Sequence, residues 1–490
     1  MHFQPPGMVA YDFFALHAEG QYHMLYLQHH RVPDDDDPDE HSIGHAVSND
    51  LVRWRVEPIA LRKGPEGAWD DRTLWTMSIV RRDGLYHMLY TGLSSRDDRR
   101  VQRIGLATSP DLYRWEKHPG NPVLEADPCW YETRVEASVQ GRVSWRDPFI
   151  HHDEPSGWYY ALVTARVNAG EAGRRGCVGA ARSRDLVRWE ALPPVYAPGK
   201  YNDHIVPEVF RHGGRYYLLY SAHHLVGTHY AVSDRLLGGY AEPANHWLLG
   251  AGGRNAWIGR TVVGADDRRY LLHWNYEREG GTDLGMACHG KIATPKAVRT
   301  DESGLLHLEW SDDLDFYAGD AQFDGVPPSL AEGVPAELDA WWTTDGGCVR
   351  GERLDGLSIL PFDEEGDDVV FDARVQLDGG RAAGVMLRGD GEGHCGYAVL
   401  FDADRHAVDL RELPYLDVIE SKHLPTITAG SVHALRVAAI GEFLEVYVDG
   451  EFAIPATRYA FRRGAFGLVV EGARATFSGL RARPVGAAMA

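Results

Sequence analysis

A short aromatic strand returns five times along the chain, as GQYHMLYLQ (20–28), GLYHMLYTG (84–92), GWYYALVTA (157–165), GRYYLLYSA (214–222) and RRYLLHWN (268–275). Its tyrosines Tyr22, Tyr86, Tyr159, Tyr216 and Tyr270 stand 54 to 73 residues apart, and helical periodicity is nearly absent between them. A second motif follows the first: GHAVSNDLVRW (44–54), GLATSPDLYRW (105–115), GAARSRDLVRW (179–189) and a diverged THYAVSDRLLGGY (228–240). In the first three copies Asp falls six residues after Gly and Trp ten after it. Such a segment suits a strand ending in an Asp-stabilised turn, from which the Trp folds back on the sheet. Five copies of a strand-rich unit of this length predict an all-β fold, a five-bladed β-propeller over residues 1–325. A single β-sandwich is the alternative, but it leaves the five copies unexplained.

Beyond residue 325 the texture changes. SLAEGVPAELDAWW reads as a linker (326–344). Alternating strands then predict a C-terminal β-sandwich over 345–490, among them DVVFDARVQL (368–377), YAVLFDA (397–403) and GAFGLVVEGARATFSGLRARPV (464–485). A structural role, packed against the propeller, is the simpler expectation for it; an independent sugar-binding module is the other.

The formal charge of −21 repels phosphate backbones and anionic lipid, so nucleic acid and membrane surfaces are not expected partners. The acidic run Asp34 to Asp37, with Asp39 and Glu40, lacks the spaced ligands of a calcium loop and reads as solvated. Five scattered cysteines argue against a disulfide framework or a zinc site, and no metal is expected. The first residues, MHFQPPGMVAYDFF, show no basic region followed by an apolar core, which predicts a cytoplasmic protein.

A propeller channel is lined by the innermost strand of each blade, just ahead of the aromatic strand. Counting back from the tyrosines finds Asp12 in VAYDFFAL, Asp147 in VSWRDPFI and Glu208 in HIVPEVFRH. Blades two and five carry LWTMSIV and AWIGRTVV there, with Trp75 and Trp257 as candidates for stacking on a sugar or for core packing. Each acid lies among apolar residues, where an unpaired carboxylate costs several kcal/mol, and Arg146 beside Asp147 can offset part of that. Two carboxylates in unlike environments are the usual equipment of glycoside hydrolysis, and a third can support positive charge at the anomeric carbon. His29, His30, His223 and His224 end two equivalent strands and are candidates for the funnel mouth.

These residues resemble those of the invertase, inulinase and levanase family and its relatives among the furanosidase propellers, the arabinanases and levansucrases. The match is carried by Arg146-Asp147-Pro148 in the third blade and by GHAVSNDLVRWRVEPIAL at the end of the first. The resemblance implies that Arg146 and Asp147 grip fructosyl hydroxyls and that Asp12 is the nucleophile. In the family an acidic residue stands two before a proline in the fourth blade. Here that place is Ile205, in DHIVPEVF, with Asp203 and Glu208 nearby. Glu208 is therefore the expected acid/base and Asp203 the reserve, with Arg146, Trp75, Asp203, Trp257 and His223 as substrate contacts. The implied activity is retaining hydrolysis of terminal β-fructofuranosyl residues from short oligosaccharides, without metal or organic cofactor. Three alternatives stay open: an inverting α-L-arabinofuranosidase-like enzyme, a fructosyltransferase, and a sugar-binding propeller without an acid/base.

Overall fold

The computed structural model describes residues 2–30, 42–223, 225–250, 255–338 and 340–486. The acidic run at 34–40 and His224 lie outside the described residues. The chain is all-β, a five-bladed propeller followed by a β-sandwich. Each blade opens with an inner strand: Met8–Ala18, Thr73–Arg82, Trp145–Asp153, Ile205–His212 and Ala256–Val263. In every blade the aromatic repeat forms the second strand, antiparallel to the first. The ring is closed by the N-terminal segment, where Phe3 and Ile292 exchange backbone hydrogen bonds of 2.8 and 3.0 Å.

The second motif is built the same way three times. Asp50, Asp111 and Asp185 each accept backbone N–H bonds from residues two and three further on, at 2.7–3.0 Å. Those turns put Leu51, Leu112 and Leu186 in the left-handed region, at φ 62°, 67° and 64°. Trp54, Trp115 and Trp189 then donate their indole N–H to the carbonyls of these leucines at 3.1, 2.8 and 3.1 Å. The Gly that starts the motif is a packing requirement. A Cβ on Gly44 would lie 2.5 Å from the Tyr26 ring, directly across the strand pair.

All five inner strands break register at the same level. The shifts fall between Ala10 and Phe13, Trp75 and Met77, Arg146 and Phe149, Ile205 and Glu208, and Trp257 and Arg260. Each is a β-bulge, which turns consecutive side chains out of simple alternation. Asp147, Val206 and Ile258 within them have φ of 55°, 51° and 48°.

The chain reaches the sandwich early: Phe323–Asp324 already pairs with its last strand, Gly464–Pro484. The segment expected as a linker packs down, with Leu330 buried and Val326, Val334, Leu338 and Trp341 against the sandwich core. Val369–Gly389 and Gly464–Pro484 pair along their length and carry the other strands. Between the domains, Phe210, Tyr217 and Trp310 of the propeller share one apolar core with Val370, Ala438, Tyr447 and Phe452 of the sandwich. Lys296, fully buried, bridges the same interface to Glu445 at 2.5 Å.

Candidate active site

The five bulges converge on one cavity of about 240 Å³. Its wall includes a pair of adjacent residues from every blade: Tyr11–Asp12, Trp75–Thr76, Arg146–Asp147, Ile205–Val206 and Trp257–Ile258. Leu27, Arg142, His223 and Trp274 complete it. The volume lies below the roughly 300–1,000 Å³ of drug-sized ligand sites, which suits one sugar ring at the end of a chain.

Asp12 projects from the first bulge. Thr76 of blade two donates its hydroxyl to Oδ2 at 2.8 Å. Burial and then repulsion from Asp147 push the Asp12 carboxyl up to about 6, against the opposing pull of Thr76, Arg260 and Trp274. Asp147 is held from three blades. Its backbone N–H donates to Thr91 Oγ1 at 3.0 Å, while Oδ2 accepts from Thr164 Oγ1 at 2.8 Å and from Val206 N at 3.3 Å. The Arg146 Nε lies 3.3 Å from the same oxygen. A bulged aspartate so pinned has a fixed direction into the cavity.

Asp203 stands behind the wall rather than in it. The carboxylate is buried, 3.7 Å from Arg146 Nη2 and 2.6 Å from His223 Nδ1, and Gln140 donates to it at 3.4 Å. Although burial opposes it, the His223 hydrogen bond and the Arg146 charge hold the Asp203 carboxyl well below the usual carboxylate range. A carboxyl held ionised and off the cavity wall is poorly suited to the reserve role of proton donor or to direct sugar contact. The ring of His223 does reach the cavity, edge-on to Trp257 at 5.6 Å. Trp257, Trp274 and Tyr11 form a continuous aromatic wall.

Glu208 departs from expectation. It follows the fourth bulge instead of sitting in it, so its side chain passes between blades four and five and takes no part in the cavity wall. Both of its oxygens accept the Thr261 N–H, at 3.2 and 3.0 Å, Oε1 also accepts the Thr261 hydroxyl, and Arg260 lies 3.9 Å away. This is a carboxylate engaged in joining blades, off the cavity wall. The wall positions of that blade are Ile205 and Val206. His29 is buried, in contact with Tyr11 and donating Nδ1–H to the His30 carbonyl at 2.7 Å; His30 is exposed at the strand end.

The sequence reading missed Tyr11, Thr76, Arg142, Trp274 and Arg260. Arg260 is fully buried among the charges of Glu208, Asp147 and Asp12, and it is the counter-ion shared by the three expected acids. Its signal was present in AWIGRTVV, an arginine in an otherwise apolar inner strand.

Residues 2–194 match the family model described as glycosyl hydrolases family 32 N-terminal domain. β-Fructofuranosidase 1 of Zea mays is 31% identical over 197 residues, covering 39% of this chain and 27% of the relative. Raffinose invertase of Escherichia coli is 26% identical over 293 residues, covering 56% of each. The chain thus spans between about a quarter and about half of the curated relatives it matches. Among solved structures, fructan 1-exohydrolase IIa of Cichorium intybus in complex with 1-kestose is 17% identical, with a TM-score of 0.71 over 99% of this chain and 96% of that one. Sucrose-6-phosphate hydrolase of Lactobacillus gasseri is 14% identical, with a TM-score of 0.71 over 99% and 93%. At such identities the likeness is one of fold.

Proposed function

We propose, from the match of residues 2–194 to the glycosyl hydrolases family 32 N-terminal domain, that this chain is a glycoside hydrolase acting on terminal β-fructofuranosyl residues of short oligosaccharides. The observation that carries the reading is the pairing of Asp12 with Asp147 on one cavity wall, the first carboxyl raised by burial and then by its neighbour, the second pinned beside Arg146. In this reading Asp12, oriented by Thr76, attacks the anomeric carbon in its ionised form. Asp147 and Arg146 hold ring hydroxyls, and Asp147 lies where positive charge develops on the sugar. The aromatic wall of Tyr11, Trp257 and Trp274 takes an apolar sugar face. The small cavity supports removal of one terminal unit at a time.

Sucrose and 1-kestose are the substrates to try, with released fructose as the readout. Asp12→Asn should abolish release while leaving binding measurable by calorimetry. Fructose release by Asp12→Asn at the parent rate would sink the assignment. Ile205 at the acid position favours one other reading, a propeller that binds the sugar without cleaving it; that protein would bind 1-kestose and release nothing.

A further inference from the structure

We propose that His223, oriented by Asp203, is the proton donor of this site, an aspartate–histidine pair in place of the carboxylic acid that Ile205 lacks; this rests on the hydrolase reading above. The cavity wall offers few donors. Asp12 is assigned to attack, Asp147 is assigned to the sugar hydroxyls with its Oδ2 bound by Thr164, Val206 and Arg146, and guanidinium groups do not give up protons. Tyr11 is a weak acid already engaged with His29. Asp203 and Glu208 lie off the wall. Among the described wall residues that leaves His223.

Its setting is that of a working imidazole. Nδ1 meets the buried Asp203 Oδ2 at 2.6 Å, and the His223 backbone N–H lies 3.4 Å from Oδ1 of the same carboxylate. A carboxylate on Nδ1 fixes the ring and its tautomer and leaves Nε2 to exchange a proton with whatever fills the cavity. The side chain is 46% exposed, in contrast to the 2% of Asp203. Charges around it are Asp203 on the ring, Arg146 and Arg142 acting on that carboxylate, and Asp12 and Asp147 elsewhere on the wall. Placement is also apt. Ser221 pairs directly with Ile205, and His223 stands two residues beyond it, so the ring enters beside the position where the acid is missing.

The chemistry balances without a further reactant. As Asp12 forms its ester to the anomeric carbon, the glycosidic C–O bond breaks and the leaving oxygen takes the Nε2 proton of the imidazolium. Neutral His223 then removes a proton from water, whose oxygen displaces Asp12 and restores both groups. General acid assistance of this kind is worth about 10²–10⁴-fold on a poor leaving group and little on a good one.

The test compares sucrose with 4-nitrophenyl β-D-fructofuranoside. His223→Gln should lose at least about 100-fold in kcat on sucrose yet stay within a few-fold of the parent on the aryl glycoside, whose retained turnover also reports a folded site. Asp203→Asn should shift the alkaline limb of kcat/KM on sucrose to lower pH, a change that a merely structural role does not produce. In the unaltered protein that limb should be present on sucrose and absent on the aryl substrate. Equal losses on both substrates, unchanged sucrose turnover in His223→Gln, or identical pH profiles on the two substrates overturn the proposal. If the unaltered protein cleaves neither furanoside, the hydrolase reading itself fails, and the proposal with it.

Discussion

In the proposed mechanism Asp12 does two opposed things: it sits beside Asp147 in a partly dry cavity, and it ionises for attack. Its carboxyl, pushed up to about 6, sets the sign of two outcomes. For activity, kcat/KM should rise as pH climbs through about 6, where the nucleophile becomes charged. Thr76→Val removes the hydrogen bond that favours the anion, so this acid limb should move to higher pH; a limb that stays put or moves down would exclude Thr76 as its control. For stability the direction reverses. A group whose folded value lies above its unfolded value of 3.8 stabilises the fold when protonated, and that contribution is lost as pH rises from about 4 to about 6. Two units correspond to roughly 3 kcal/mol at most, less because the side chain is only half-buried. Asp12→Asn should therefore be more stable than its parent at pH 7 and lose that advantage near pH 4, as urea midpoints at the two values would register. Equal midpoints at both would show that Asp12 is not strained.

At the scale of elements, the blades were legible in the sequence because strand, turn and tryptophan repeat with the same chemistry each time. Asp50, Asp111 and Asp185 cap their turns identically, so the spacing carried the structure. Asp12 and Asp147 were legible for the same reason. Glu208 was misplaced because distance from a tyrosine does not report a bulge. Glu208 stands eight residues before Tyr216, where Asp12 stands ten before Tyr22, and it falls after the register shift, facing Thr261 instead. Contacts made across blades, such as Thr76 to Asp12 or Thr91 to Asp147, join residues 64 and 56 positions apart and leave no local trace. The bulge geometry yields its own test. Ile205 is on the cavity wall beside His223, so Ile205→Glu in the His223→Gln background should restore sucrose turnover at least about tenfold; no recovery in a folded double variant would mean that this wall position does not face the leaving oxygen.

At the scale of the molecule, the sandwich behaves as the propeller's second half. Strand alternation announced it, but nothing in its sequence told which face would be covered. The shared apolar core strips Phe210, Tyr217 and Trp310 of solvent, and polar contacts follow it toward the cavity. Thr457 donates its hydroxyl to the Tyr276 carbonyl at 2.7 Å, and Tyr276 stacks on Trp257 of the cavity wall at 5.9 Å. The interface also buries a charge pair, Lys296 with Glu445, whose other oxygen accepts the Tyr447 hydroxyl at 2.7 Å. Such a pair stabilises little relative to apolar residues of the same shape, but halving it strands a charge. Glu445→Gln should accordingly cost about 3–5 kcal/mol, and Lys296→Met combined with Glu445→Leu should recover most of that loss. Calorimetry of the three proteins distinguishes the cases. A rigidly joined pair predicts one shared transition in the parent and a lowered or split one in Glu445→Gln, with sucrose turnover falling in step because the sandwich supports the Trp257 wall. Two independent transitions in the parent, or full stability in Glu445→Gln, would instead make the sandwich a passenger and return it to the role of a separate module.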